Sequence, residues 1–264
     1  MSIDFNNLTG QNLICDDCLE VLKNFPNNKI DIAATSVPYN IKKDYGKYKD
    51  DLSKEEYLNW IRNVFSQIKR VLKVNGSFFL NVGSTNTKPW IADNVARIAQ
   101  ELFILQNHIV WVKSITINTT NYGHFKPINS GRYLNNNWEH IYHFTKTGRV
   151  EIDRLSIGTK YTYKNNINRW DSVKQDMRCR GNIWFVPYET INSKKDKGKH
   201  PAIFPTKIIT NCINLHGYDE NTILLDPFVG IGSSLVAAQK MEIKGIGIDV
   251  NEEYIQFAKT RLGI

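Results

Sequence analysis

The stretch that most constrains this chain is an apolar run, Thr222–Leu225, that passes through Asp226-Pro227-Phe228-Val229-Gly230-Ile231-Gly232-Ser233-Ser234 into a helical pattern, Ser233–Lys240. A buried strand that hands over to a helix through a glycine loop is half of a strand–helix–strand unit. Repeated, such units build a mostly parallel sheet covered on both faces. Gly230 and Gly232 allow a tight turn and a close approach of ligand to backbone. Sheets of this kind take ligands beyond the carboxyl ends of their strands. The next strand, Gly245–Ile248, ends in Asp249, 23 residues after Asp226 and well placed to accept hydrogen bonds from ribose hydroxyls. The third glycine and pyrophosphate cradle of the dinucleotide fingerprint are missing, so a nucleoside cofactor is expected rather than NAD.

The alternation continues along the chain. Asn12–Cys15 and Ile30–Thr35 read as short strands with a helix, Leu19–Phe25, between them. Ser53 and Glu56 form a capping box for a helix to about Lys73, in which Tyr57, Ile61, Val64, Phe65, Ile68, Val71 and Leu72 make one apolar stripe. Asn75-Gly76 is expected to end it, and Ser77–Val82 reads as a buried strand. A helix around Ile91–Leu102, a strand at His108–Lys113, a helix opened by Pro205 and a last helix at Glu252–Leu262 complete the pattern. The fold class is α/β, a doubly wound, Rossmann-like, mostly parallel sheet.

The 264 residues suit one large domain or two small ones. With 41% hydrophobic and 23% charged residues, collagen-like and wholly disordered chains are excluded. No apolar run approaches the roughly 18 residues that cross a bilayer, and Met1–Thr9 is polar and unlike a signal peptide. No membrane association and a cytoplasmic location are expected. The net charge of +8 is unevenly spread: Lys113–Lys199 holds 16 basic and 7 acidic residues, a net +9, and the rest holds 18 and 19, a net −1. A localised basic surface is the footprint of a polyanion binder, although it also serves solubility. The same third interleaves Tyr122, Tyr133, Trp138, Tyr161, Tyr163, Trp170 and Trp184 with Asn, Lys and Arg, the side chains that contact phosphates and base edges.

A second motif, Thr35-Ser36-Val37-Pro38-Tyr39-Asn40, also follows an apolar strand. Together with Asp226–Gly232 it resembles the amino-group DNA methyltransferases that use S-adenosylmethionine, in the class whose catalytic motif, Asp/Asn/Ser-Pro-Pro-Tyr, precedes the cofactor motif. Asp16-Asp17-Cys18 resembles that family's Gly-Asp-Cys opening, Trp138–Phe144 its His-Glu strand, and Asn182-Ile183-Trp184 and His200-Pro201-Ala202-Ile203-Phe204-Pro205 the segments that close the recognition region and open the methionine side of the cofactor pocket. The resemblance covers nearly the whole chain, in the family's motif order. Two departures stand out: Val37 replaces the motif's first proline, and Asp16 replaces glycine.

The resemblance implies the methyltransferase fold in permuted motif order, with residues 1–114 and 200–264 forming the catalytic domain and 115–199 a target-recognition insertion. It implies Ser36, Val37, Pro38 and Tyr39 as the catalytic motif: the Ser36 side chain and a backbone carbonyl in Ser36–Pro38 hold the amine, and Tyr39 stacks on a base rotated out of the duplex. The implied S-adenosylmethionine pocket comprises Asp17, Asp226, Pro227, Phe228, Gly230, Gly232, Ser233, Asp249, His200, Pro201 and Phe204, with no metal. Serine first in the motif points to N4 of cytosine, with N6 of adenine as the alternative. A further alternative is a binding module that has lost catalysis through Val37. Carbon-5 methylation is set aside because Cys15, Cys18, Cys179 and Cys212 all lie away from Ser36–Asn40. Cys15 and Cys18 read as ordinary thiols, lacking a second pair at ligand spacing. The implied partner is double-stranded DNA in a restriction–modification or orphan setting; a homodimer and a cognate endonuclease sharing the site are candidate partners.

Overall fold

The computed structural model describes residues 3–40, 44–45, 48–49, 51–125, 128–167, 176–188 and 204–264. In chain order its elements are β1 (Gln11–Cys15), α1 (Cys18–Lys23), β2 (Ile30–Ser36), β3 (Asp44–Tyr45), β4 (Tyr48–Lys49), α2 (Lys54–Val71), β5 (Leu72–Val82), α3 (Ile91–Gln100), β6 (Ile104–Val112), β7 (Ser114–Ile117), β8 (Thr120–Gly123), β9 (Trp138–Thr145), β10 (Ile183–Phe185), α4 (Thr206–His216), β11 (Ile223–Asp226), α5 (Ser233–Lys240), β12 (Lys244–Asp249) and α6 (Glu252–Leu262). Eight strands form one sheet in the order β1-β12-β11-β2-β5-β9-β6-β10. Every neighbouring pair is parallel except the two that β9 makes, with β5 and β6. β3 pairs with β4, and β7 with β8, as small antiparallel ladders.

Helices cover both faces, as the alternation predicts. On one face α1, α2 and α3 bury Leu22, Tyr57, Ile61, Phe65 and Val95 against Ile14, Phe78, Leu80, Leu225 and Ile248. On the other, α4, α5 and α6 bury Ile208, Cys212, Leu235 and Ile255 against Ile32, Ile109, Ile141 and Leu224. The capping box forms: Ser53 Oγ accepts from Glu56 N, and Ser53 N donates to the Glu56 carboxylate. The Gly-Ile-Gly-Ile run of β12 puts its isoleucines on the first face and its glycines under α5, where a Cβ on Gly247 would lie 2.6 Å from Val229 Cγ2 and 2.9 Å from Leu235 Cδ1. The glycine loop and that helix can therefore pack directly on the strand backbone.

Two expectations need correcting. Asn75-Gly76 does not separate a helix from a strand: α2 runs straight into β5 at Leu72. Ile30 and Ile32 of β2 oppose Leu72 and Ser77, so Lys73–Gly76 forms a bulge. The bulge calls for glycine because a Cβ at Gly76 would meet Leu72 Cγ at 2.8 Å and Asp31 O at 2.9 Å. Nor does the whole of 115–199 stand apart as an insertion. β9 lies inside the main sheet and β10 on its edge, so among the described residues the part outside the sheet is confined to the connections around them. Hydrophobic alternation in β9 is compatible with either reading; only its pairing with β5 and β6 places it.

Candidate active site

Parallel strands bring their carboxyl ends to one edge. Here Cys15 is level with Asp249, Asp226 with Gly247, and Ser36 with Asn81. Because β9 runs the other way, it delivers its beginning to that edge: His140 pairs with Val82 and Trp138 with Val112. A cleft opens there. The loops after β1, β11 and β12 line one half with Asp16, Asp17, Phe228, Gly230, Asp249 and Val250, and the ends of β2, β5, β6 and β9 line the other with Ser36, Tyr39, Asn81, Trp111 and Glu139.

Most of the residues singled out in the sequence meet in this cleft. Ser36, Val37, Pro38, Tyr39, Asp17, Phe204, Asp226, Pro227, Phe228, Gly230, Ser233 and Asp249 all line it. Gly232 is not among the lining residues. It caps α5 at φ +82°, where a Cβ would lie 2.9 Å from Ala258 Cβ, so it shapes the loop from behind. His200 and Pro201 lie outside the described residues, as do Trp170 and the lysine-rich run Lys194–Lys199. Trp184 is buried packing, whereas Trp138 is exposed.

Asp17 caps α1, accepting from Leu19 N at 2.8 Å, and lies at the mouth of the cleft. Asp249 accepts from Gly230 N at 3.0 Å and Asn251 N at 2.9 Å, and these bonds pin the glycine loop to the end of β12. Burial nevertheless raises the Asp249 pKa above the ordinary carboxylate value. Asp226 is buried, with both oxygens used: Oδ1 accepts from Thr35 Oγ1 at 2.6 Å and Phe228 N at 3.1 Å, and Oδ2 from Ser234 Oγ at 2.6 Å. It ties the end of β2 to the glycine loop. Phe228 packs on Trp60, ring centroids 5.4 Å apart and planes inclined by 48°, giving the cleft an aromatic wall.

The catalytic-motif half is framed by partners that sequence reasoning does not assign. Val37 is buried in the core, so the motif keeps a bulky apolar residue where proline is usual. Pro38 O accepts from Tyr57 Oη at 2.7 Å, which anchors the motif to α2. Tyr39 Oη donates to Glu139 Oε2 at 3.1 Å and lies 3.4 Å from Ser36 Oγ. Burial, and next the Glu139 carboxylate, push the Tyr39 phenol well above its usual range, so it keeps its proton. Lys113 Nζ is 3.1 Å from Glu139 Oε1 and 5.6 Å from the centre of the Tyr188 ring. Trp111 meets Tyr188 and Phe204 edge to face, and the three form a second aromatic wall. Glu139 lies within the Trp138–Phe144 motif, yet nothing in the sequence gives it a role. The signal that finds it is the reversed strand, which pairing reveals and periodicity does not.

A family model described as a DNA methylase of the N6/N4 type matches residues 30–260. The Type II methyltransferase M.HpaI of Haemophilus parainfluenzae is 30% identical over 256 residues, covering 96% of this chain and 74% of M.HpaI. Among solved structures, the PvuII DNA methyltransferase (cytosine-N4-specific) superposes with a TM-score of 0.71 at 18% identity, covering 98% of this chain and 90% of that one. M1.HpyAVI in complex with SAM gives 0.57 at 22% identity over 95% and 99%. The fold is thus that of the methyltransferases, and the match over most of its length means that this chain belongs to the N6/N4 DNA methylase family.

Proposed function

We propose that this DNA methylase moves a methyl group from S-adenosylmethionine to the exocyclic N4 of a cytosine rotated out of duplex DNA, in a restriction–modification setting, a reading supported by its similarity to the Type II methyltransferase M.HpaI. The observation that carries the reading is Ser36 at the carboxyl end of β2, facing the same cleft as the glycine loop after β11.

The cleft's chemistry fits the cofactor. Among the described residues, its lining holds no lysine or arginine and five carboxylate side chains: Asp16, Asp17, Asp226 and Asp249, with Glu139 offset by its ion pair to Lys113. That suits a positively charged sulfonium and disfavours a pyrophosphate. M1.HpyAVI, with the same fold, is known as a SAM complex. In this chain Asp249 would hold the ribose hydroxyls, Asp17 the adenine end, and Phe228 the apolar wall, with Phe204 on the methionine side. S-adenosylmethionine, when bound, supplies a methyl group already activated by the sulfonium charge. The protein's own task is then to present the acceptor. An exocyclic amine shares its lone pair with the ring, so its hydrogens must be held by acceptors, here Ser36 Oγ and a carbonyl of Ser36–Pro38. Tyr39 stacks on the rotated base; such stacking contributes about 1–3 kcal/mol, comparable to the cost of unstacking. The parts of 115–199 outside the sheet, with exposed Arg132, Lys160 and Arg178, form the DNA-recognition region.

The test is product identity. The protein is incubated with S-adenosylmethionine and mixed-sequence duplex DNA, the DNA is digested to nucleosides, and the methylated nucleoside is identified by mass spectrometry. N4-methyldeoxycytidine is expected. N6-methyldeoxyadenosine, the other chemistry that the family covers, would keep the pocket and remove Ser36 as a guide to the base. Cofactor binding with no product on any DNA would instead identify a binding module that has lost catalysis.

A further inference from the structure

A serine hydroxyl can meet an exocyclic amine in two ways, and only one helps. With its proton aimed at the amine, it opposes donor to donor; with the proton turned away, its lone pairs accept the amine's hydrogen. The side chains behind Ser36 decide between these.

Lys113 and Glu139 form an ion pair at 3.1 Å with only 10% and 12% of their side chains exposed. The ammonium has donors alone, so the carboxylate beside it serves as acceptor. Gly83 closes in on Glu139, since a Cβ there would lie 2.7 Å from Glu139 Cγ. The free oxygen of that carboxylate, Oε2, is 3.1 Å from Tyr39 Oη. Tyr39 has one hydroxyl proton and donates it in a hydrogen bond to the carboxylate. Only lone pairs then remain on Tyr39 Oη for Ser36 Oγ, 3.4 Å away, so Ser36 must be the donor in that contact. The contact is long for two hydroxyls, as ligand-free catalytic hydrogen bonds commonly are before substrate is held. Its direction does not depend on its length.

We propose that Glu139, anchored by Lys113, is a positioning residue that acts through Tyr39 to keep the Ser36 hydroxyl an acceptor, and thereby selects an amine over a carbonyl as the methyl acceptor. Cytosine and adenine carry an amine at the position where thymine and guanine carry a carbonyl oxygen. The chain Lys113–Glu139–Tyr39–Ser36 matches the first pair and mismatches the second. This inference rests on the proposed amine methylation and adds its polarity filter.

The experiment is a double-mutant cycle with Tyr39→Phe, Glu139→Gln and both together, measured as single-turnover methylation of a duplex that the wild type modifies. Each single change is expected to slow the step roughly ten- to a hundredfold, leaving KM for DNA and the calorimetric affinity for S-adenosylmethionine within about twofold. The double variant should be no slower than the slower single, because Glu139 has nothing to act through once the phenol is gone. Losses that multiply in the double variant, a wild-type rate for Glu139→Gln, or a loss confined to KM would each overturn the inference. If Glu139→Gln fails to fold because Lys113 is left buried without its anion, Lys113→Met with Glu139→Gln removes both charges and enters the same cycle. A wild type that methylates no DNA overturns the amine reading itself; an active wild type with multiplying losses overturns this inference alone.

Discussion

Asp226 joins the two motifs on which the cleft depends, and its chemistry makes a prediction of its own. Its carboxylate is buried under hydrogen bonds from Thr35, Ser234 and the Phe228 amide. Burial outweighs those bonds and raises its pKa from 3.8 to about 6. The folded protein therefore holds this proton up to about pH 6, while the unfolded chain releases it near pH 3.8. Between these values the native state binds more protons, so the Asp226 contribution to stability is complete below pH 3.8 and declines as pH rises through 6. His143 works in the opposite sense: burial lowers its pKa from 6.5 to about 3, so its contribution is complete above pH 6.5 and is lost on acidification. The two are separated by comparing the wild type with Asp226→Asn, not by either profile alone. Asparagine fits the site, because its carbonyl oxygen can still accept from Thr35 and Phe228 while its amide donates to a reoriented Ser234 hydroxyl. In urea unfolding from about pH 4 to 7, the Asp226→Asn variant should gain on the wild type as pH rises, by an amount on the order of 3 kcal/mol. A wild type that gains on the variant over that range would mean that the ionised carboxylate is stabilised by its donors.

Element by element, the sequence is most readable where one strand–loop–helix unit carries its own signals. Ser53 and Glu56 announce the start of α2, and Asp226–Ser234 announces the turn between β11 and α5. What cannot be read depends on partners distant in sequence. The bulge at Lys73–Gly76 exists because β2 and β5 fall out of step. The place of β9 between β5 and β6 is what delivers Glu139 to Ser36 and Tyr39, and no local pattern encodes it. The hairpin of β7 and β8 is likewise a pairing with no buried apolar face to reveal it: Ile115, Ile117 and Tyr122 are all exposed. Gly245 and Gly247 lie between these cases. They read simply as part of a strand, and only the contacts with Gln11 of β1, Val229 of the glycine loop and Leu235 of α5 explain why the strand needs glycine there. Gly247→Ala puts a methyl 2.6 Å from Val229 Cγ2 and 2.9 Å from Val229 Cβ, in the loop that frames the cleft. Overpacking of this kind typically costs about 1–3 kcal/mol. The expected outcome in denaturant unfolding is a loss of that size, together with weaker S-adenosylmethionine binding by calorimetry because the glycine loop is displaced. Gly131→Ala, at a position where a Cβ meets nothing within 4 Å, is the control. If Gly247→Ala is as stable as that control, Val229 of the glycine loop and Leu235 of α5 are not held as tightly against β12 as the packing indicates.

At the scale of the whole molecule, charge and cleft are divided between different parts of the chain. The surplus of +9 within Lys113–Lys199 coexists with −1 elsewhere, and the cleft itself is acidic. A DNA methylase built this way can grip a polyanion outside the site while keeping the site suited to a cation. β6 links the two, since Lys113 follows its last residue at the cleft edge and the β7–β8 hairpin leaves from the same point. If the basic region grips phosphates, log Kd for duplex DNA rises linearly with log salt, with a slope of roughly 0.9 for each phosphate neutralised. Arg132 and Lys160 are exposed residues of that region, and Lys240 is an exposed residue at the far end of α5. Arg132→Gln and Lys160→Gln should each weaken binding on all sequences alike and reduce the slope by about 1, whereas Lys240→Gln should change neither. S-adenosylmethionine affinity should stay constant across all three, because the cleft lining contains none of these residues. Fluorescence anisotropy on a labelled duplex from roughly 50 to 300 mM salt reads all of this out. Slopes that fall equally for Lys240→Gln would show that net charge alone attracts the DNA, and the assignment of the central third as its docking surface would then be wrong.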